Sequence, residues 1–223
     1  MEDSKKKSSS EILHGTVFQA GYQENGRGRI KGREWQSSKD MNLTFTVVLR
    51  RTELNHDLNH IPLIAGIALT SAVRKITGRK YQLKWPNDLL HKGCKCAGIL
   101  CEADSEYFYC GMGVNCNQLE FPDSIKQKTV SLKQICHRDI DIGKLLLAVL
   151  EQFKFYLGSG DLWRSHLESL LYKKGETVEI LEGRADSAEM VKGRIRGIGD
   201  DGQLVIDQMD GVVKEIYAGE IEL

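Results

Sequence analysis

The sequence predicts an α+β chain, with strands and helices sharing a larger domain over residues 1–174 and a small β-barrel following over 175–223. Three observations carry this. Apolar residues recur with helical periodicity in segments starting at Ile61, Asp141 and Asp161. Strand-like runs stand before and between these segments, two of them joined by a short polar turn in the manner of a hairpin. After Lys173-Lys174-Gly175 the texture changes to short, closely spaced strands with Asp–Gly turns.

Composition narrows the function classes. The 223 residues, 41% of them hydrophobic, suffice for one full domain and a small second one. Thirty-one basic and thirty-one acidic residues cancel, so no global electrostatic pull toward nucleic acid or an anionic membrane is expected. The opening MEDSKKKSSSEIL is polar with no apolar h-region, and no apolar run approaches a membrane span. A soluble, cytoplasmic protein is the expectation. The six cysteines (Cys94, Cys96, Cys101, Cys110, Cys116, Cys136) form no C-x-x-C pair, which favours reduced thiols over a zinc or thioredoxin-like site. His56 and His60 are four apart, but no third ligand type clusters with them, and no metal site is expected.

In chain order, His14–Gln23 reads as a strand through Val17 and Phe18, and Leu43–Leu49 (LTFTVVL) as another. Between them lies YQENGRGRIKGREW, which packs Gly26, Gly28, Gly32, Arg27, Arg29 and Arg33 into one short stretch. From Ile61 the apolar positions Ile64, Ala65, Ala68, Leu69, Ala72, Val73 and Ile76 mark a core helix, with Pro62 suited to its first turn and Gly78 to its end. Tyr81–Lys84 is a short strand ending in the Trp85-Pro86-Asn87-Asp88 turn. Lys95–Ala103 and Tyr107–Val114 form the hairpin, and Gly98 and Gly111 fall inside them with Gly113 close by; glycine inside a strand marks a bulge or a ligand lying against the backbone. Helices over Asp141–Leu157 and Asp161–Tyr172 follow. The barrel strands are Thr177–Leu181, Met190–Ile198, Gln203–Asp207 and Val212–Tyr217.

The glycine–arginine stretch is the chemically pointed one. Glycine lets backbone N–H groups approach an anion, and arginine offers a planar fork of donors for carboxylate or phosphate oxygens. A solvated basic loop is the competing reading of the same composition. The spacing G-x-G-x-x-x-G followed by a strand disfavours a Rossmann fold, and no G-x-x-x-x-G-K-[ST] occurs. Lys84, just before the rigid Trp-Pro-Asn-Asp turn, is a candidate for stabilising charge on a transferring phosphate, against the reading that it merely solvates a strand end.

GRGRIKGREW, KWPNDLLHKGCKCAGIL and CGMGVNCN, in this order with an amphipathic helix between the first two, resemble the biotin–protein ligase family, over about His14 to Leu223. The resemblance implies a mixed, largely antiparallel sheet flanked by helices, of the type related to class II aminoacyl-tRNA synthetases, and a C-terminal barrel of the Src-homology-3 type. It implies a biotin–[acetyl-CoA carboxylase] ligase that uses ATP, biotin and Mg²⁺ to make biotinyl-5′-AMP. The biotin is then transferred to a lysine of a biotin carboxyl carrier protein. Lipoate or octanoate ligation on the same fold, and a non-catalytic relic binding biotin or carrier, are the rival expectations.

By the same resemblance Arg27, Arg29 and Lys84 are the catalytic candidates, and Gln23, Gly26, Gly28, Gly98 and Gly111 join them in binding biotin or its adenylate. Trp35, Lys95 and Asn115 are the nucleotide-binding candidates, while Lys31 and Arg33 are expected to be solvated. Two departures from the family pattern stand in the sequence. Only Asp3-Ser4 and a lysine run precede the first strand where the family has a Ser-Thr-Asn-like turn, and the arginine loop is one residue longer than GRGRRGR-x-W. No helix-turn-helix domain precedes the chain, so transcriptional repression is not expected. Edge strands near 107–114 are a possible surface for a homodimer or for the carrier.

Overall fold

The computed structural model describes residues 1–5, 12–29, 32, 34–183 and 189–222, with the side chains of all of these except Asp3 and Ser4. In chain order the elements are α1 (Glu2–Lys5), β1 (Thr16–Ala20), β2 (Leu43–Arg50), α2 (Ile61–Thr77), β3 (Gln82–Lys84), β4 (Asp88–His91), β5 (Cys94–Ala103) and β6 (Tyr107–Val114). Then come α3 (Leu132–Cys136), α4 (Ile142–Gly158), α5 (Leu162–Leu170), β7 (Thr177–Glu182), β8 (Glu189–Ile198), β9 (Leu204–Gln208), β10 (Val213–Ile216) and β11 (Gly219–Ile221).

The first six strands form one sheet in the order β1-β2-β6-β5-β4-β3. Every neighbouring pair in it is antiparallel, and the parallel component is limited to isolated bridges such as Leu83 to Leu171. Helix α2 covers one face. Its apolar residues recur every three to four positions, and eleven residues of the helix, from Ile61 to Val73, are buried. Gly66 allows the close approach, since a Cβ there would meet Leu83 Cδ2 at 3.0 Å. Gly78 ends the helix in the left-handed conformation at φ 67°. Helix α4 packs on α2 through Leu145, Val149, Phe153 and Tyr156.

Strand β6, expected at an edge open to a second subunit or the carrier, lies inside the sheet with β2 and β5 paired to its two sides, and three short elements also depart from the expectation. The sequence places Asp88 within the turn and assigns no element to residues 89–91, yet Asp88–His91 is a strand, because β3 and β5 pair with it on both sides. Helix α3 is only five residues long and is held by a capping box in which Ser131 accepts from Gln134 N while the Gln134 side chain takes the Ser131 N–H. Strand β11, three residues, exists through its pairing with β7.

The C-terminal barrel-like unit is a five-stranded antiparallel sheet in the order β10-β9-β8-β7-β11. Its apolar face is not a separate core: Val178, Ile180, Ile195, Leu204 and Ile206 belong to the same buried cluster as α2 and the large sheet. The turn between β8 and β9 sits on the larger sheet's helices, where Trp85 Nε1 donates to Gly202 O at 3.0 Å and Arg164 Nη2 to Asp200 O at 2.7 Å. Among the described residues, no helix is long and apolar enough to cross a membrane.

Candidate active site

The sheet's face turned away from α2 and α4 holds a cavity of about 650 Å³. Its floor is made by strand alternation. Thr44 and Thr46 of β2 pair with Gly113 and Gly111 of β6, which in turn pair with Gly98 and Leu100 of β5, and all of these line the cavity. Glycine at three of the positions leaves the backbone bare, so side chains from elsewhere lie directly on it. A Cβ at Gly98 would meet Lys95 Nζ at 3.2 Å, one at Gly113 the Trp35 indole at 2.7 Å, and one at Gly111 the Met1 methyl at 2.6 Å. The slot thus has a polarity. Lys95 marks a charged end, Trp35 the middle, and Met1 with Phe18 and Leu100 an apolar end.

At the charged end Lys95 Nζ lies 2.7 Å from Asp88 Oδ1. Asp88 is buried, and the strand pairing of β4 with β5 sets Asp88 opposite Gly98. Asn87 fastens the preceding turn to β5: its Nδ2 donates to Ile99 O at 2.8 Å and its carbonyl accepts from Ile99 N at 2.9 Å. The Trp85–Pro86 peptide in this turn is cis.

The glycine–arginine stretch folds back over the cavity. Trp35 N donates to Gly26 O at 2.9 Å, Arg27 bridges Glu34, and a Cβ at Gly26 would strike the Trp35 carbonyl. This brings Gln23, Arg27, Gly28, Arg29 and Trp35 to the cavity wall. Arg27 is ion-paired with Glu2, and Arg29 Nη2 donates to Gly219 O of β11 at 2.5 Å. Trp35 Nε1 is buried with no hydrogen-bond partner among the described residues, so the wall carries an unused donor. Lys31 and Arg33 lie outside the described residues.

Two candidates are elsewhere. Lys84 is 3% exposed, its Nζ donates to Glu220 Oε1 at 3.1 Å, and it borders a small void of about 10 Å³ beside Leu83 and Trp85 instead of the cavity. Its expected position at the charged end is taken by Lys95. Asn115 is likewise buried away from the cavity, its Nδ2 directed to Val130 O at 3.5 Å and its backbone joining β6 to β5 and α3. The residues that the sequence reading left out of the site are Asp88, Asn87, Thr44, Thr46, Gly113, Phe18 and Met1. Thr44 and Thr46 had a signal: two alternate polar residues in an otherwise apolar strand, on the face opposite the helices. Among the described residues, no group of three or more His, Cys, Asp or Glu is placed to hold a metal ion. Asp88 is a buried carboxylate at the charged end, of the type that Mg²⁺ takes as a ligand.

With this geometry in place, comparison with known proteins is specific. Residues 3–117 match the biotin/lipoate A/B protein ligase family, and residues 175–223 match the biotin protein ligase C-terminal domain. The bifunctional ligase/repressor BirA of Bacillus subtilis is 30% identical over 225 residues; the match takes in 94% of this chain and 66% of that protein, so the chain spans just under two thirds of this relative. The biotin–[acetyl-CoA-carboxylase] ligase of Mycobacterium tuberculosis is 28% identical, covering 94% of this chain and 79% of its own. Among solved structures, the biotin protein ligase from Aquifex aeolicus in complex with biotin and ATP superposes with a TM-score of 0.87 at 30% identity, over 99% of this chain and 92% of that one. The larger sheet with its loop and the C-terminal unit thus each fall within a family match, and the chain is a member of the biotin protein ligase family.

Proposed function

We propose that the cavity activates biotin with ATP and passes it to a lysine of a biotin carboxyl carrier protein. The observation that carries this reading is the polarity of the slot: a glycine-floored apolar end leads to a charged end where Lys95 is held by Asp88, and Arg27 stands in the cavity wall. An apolar ring system with a carboxylate at the end of a chain has that shape and charge. The Aquifex aeolicus relative, crystallised with biotin and ATP, supports the choice of ligands.

In the first step the biotin carboxylate oxygen attacks the α-phosphorus of ATP. The bond to the β-phosphate oxygen breaks, and pyrophosphate leaves. Negative charge builds on the phosphoryl oxygens, where Lys95 and Arg27 neutralise it. Asp88 orients the Lys95 ammonium, and Arg27 exchanges Glu2 for the ligand. Trp35 and the loop from Gln23 to Arg29 cover the mixed anhydride and keep water from it. Arg29 is tied to Gly219 and acts as the hinge of this cover. Asp88 would hold Mg²⁺, which would supply charge neutralisation on the departing phosphates. In the second step the carrier's lysine amine attacks the acyl carbon, AMP leaves and the amine loses a proton, forming an amide.

Biotin-dependent pyrophosphate release from ATP, followed by label transfer to a carrier domain, tests both steps. Lys95→Ala is expected to slow adenylate formation by about 10²–10³-fold, the cost of one preorganised charge-stabilising donor. An undiminished rate in that variant would remove Lys95 from the reaction, and absence of biotin-dependent pyrophosphate release from the unmodified chain would overturn the ligase reading.

A further inference from the structure

The face of β5 and β6 opposite the cavity carries two cysteines that the reaction does not use. Cys101 and Cys110 are direct cross-strand partners, and their sulfurs are 3.6 Å apart. The ladder tells which kind of pair this is. Asp104 N donates to Tyr107 O, and Asn115 N to Cys96 O, both in the same register as the strand pairing, so even-numbered residues of β5 hold the hydrogen-bonded positions. Cys101, being odd, faces Cys110 at a non-hydrogen-bonded position. There the Cα atoms of an antiparallel pair stand about 4.5 Å apart, inside the range of about 4.4–6.8 Å that a disulfide spans. Closure therefore needs side-chain rotation and a small strand adjustment, with no break in the ladder. The two thiols also differ in access: Cys101 is half-buried, while Cys110 is fully enclosed in the core.

We propose that Cys101 and Cys110 are a redox-reactive dithiol that closes to a cross-strand disulfide when a low-molecular-weight disulfide is the oxidant, and that closure alters the cavity floor. The thiolate of Cys101, the less buried of the two, attacks one sulfur of the oxidant, forming a mixed disulfide and releasing one thiolate. Cys110 then attacks Cys101 Sγ, the mixed disulfide breaks and the second thiolate leaves. The two thiol protons end on the two released thiols, so the protein loses two electrons and the oxidant gains them. The hydrogen bond to Cys110, together with burial, pushes the Cys101 thiol well above its ordinary range. Little of the attacking thiolate is therefore present at neutral pH, and the oxidation speeds up as pH rises. Leu100 and Glu102 flank Cys101 and Gly111 follows Cys110, and all three line the cavity. Drawing the sulfurs from 3.6 Å to about 2.05 Å shifts these strands beneath the Met1 methyl that rests on Gly111.

The test is incubation of the full chain with oxidised glutathione, followed by alkylation, intact mass and peptide mapping. Loss of two of the six alkylatable thiols, with no retained glutathionyl group and a Cys101–Cys110 linked peptide, is the expected result. Cys110→Ala should trap a lasting glutathionyl group on Cys101. Both cysteines remaining alkylatable, or a persistent adduct on Cys101 of the unmodified chain, would overturn the proposal. The peptide map of the unmodified chain decides this even where the variant does not fold. The thiol readout involves no ligand and is independent of the ligase reading; the effect on the floor rests on that reading. A severalfold loss of biotin affinity in the oxidised protein, reversed by dithiothreitol, is expected, and equal affinities of reduced and oxidised protein would refute the effect on the floor.

Discussion

At the scale of single residues, the site depends on where side chains are missing. Gly113 lies under the Trp35 indole so closely that a methyl group would sit 2.7 Å from the ring. Its backbone is ordinary strand, so alanine there is not strained by φ and the conflict falls wholly on Trp35. Gly113→Ala is expected to lower biotin affinity by about tenfold or more, as a packing displacement of this size costs roughly 1–3 kcal/mol. Its thermal midpoint should change by only a few degrees. Titration calorimetry beside a thermal melt checks this, and unchanged affinity would mean that Trp35 is not part of the ligand wall. The contrast between Lys84 and Lys95 belongs to the same scale. Both are ion-paired lysines near the same turn, yet Lys84 is buried against Glu220 while Lys95, paired with Asp88, is part-exposed over Gly98 and lines the cavity.

At the scale of elements, the β5–β6 hairpin is closed by Asp104, whose Oδ1 accepts from Glu106 N at 2.8 Å and Tyr107 N at 2.7 Å while Oδ2 accepts from Tyr109 Oη at 2.7 Å. Desolvation pushes this carboxyl up, but the hydrogen bonds from Tyr107, Tyr109 and Glu106 and the nearby Lys5 charge outweigh it, and its pKa lies below the ordinary value. The sign follows: the charged form is favoured in the folded state, so the stabilisation is present above the unfolded carboxylate pKa and is lost as pH falls through the lowered folded value. Asp104→Asn should therefore melt earlier than the unmodified chain at neutral pH, with the gap closing in acid; a gap independent of pH would exclude the charged carboxylate as its cause. Helix α3 gives a second element-scale prediction. Ser131 is fully buried and caps Gln134 N, so Ser131→Ala should lower stability by about 1 kcal/mol in denaturant unfolding, and a change near zero would show that the cap is replaceable.

At the scale of the whole molecule, the C-terminal unit is attached to the parts that frame the cavity. Glu220 pairs with Lys84 just before the Trp-Pro-Asn-Asp turn, Gly202 O accepts from Trp85, and Gly219 O accepts from Arg29 of the loop. Removing one partner of a buried ion pair leaves the other uncompensated, which costs about 3–5 kcal/mol. Glu220→Ala, which strands the buried Lys84, is expected to destabilise the chain by that order in denaturant unfolding. Lys84→Met with Glu220→Leu should recover most of the loss, because no charge is then left buried. A double variant no more stable than Glu220→Ala would show that the pair is not the connection between the two units.

The long elements were legible because each carries its own periodic signal: the 3.6-residue repeat in α2, α4 and α5, and the apolar strands β2, β5 and β6, need no partner to be recognised. The glycine–arginine loop and the hairpin glycines were legible for a similar reason, since residues with unusual backbone or donor chemistry announce themselves locally. Strands β4 and β11 and helix α3 were not, because a segment of three to five residues takes its conformation from the neighbours that pair with it or cap it. The same limit applied to the lysines. Between Lys84 and Lys95 the chain reverses twice, through the Trp85–Asn87 turn and the Lys92–Gly93 turn, and β4 shifts register between Leu89 and Leu90. Which ammonium reaches the cavity is set by that pairing and not by closeness to a motif. The sequence by itself determined the family's elements, their order and the anion-seeking loop, since these follow from local chemistry. Only the tertiary structure decided that Lys95, held by Asp88, stands in the slot, that Lys84 is paired with Glu220, and that Cys101 meets Cys110. Each of these depends on which face of a strand a side chain takes, and register, fixed by non-local pairing, sets that face.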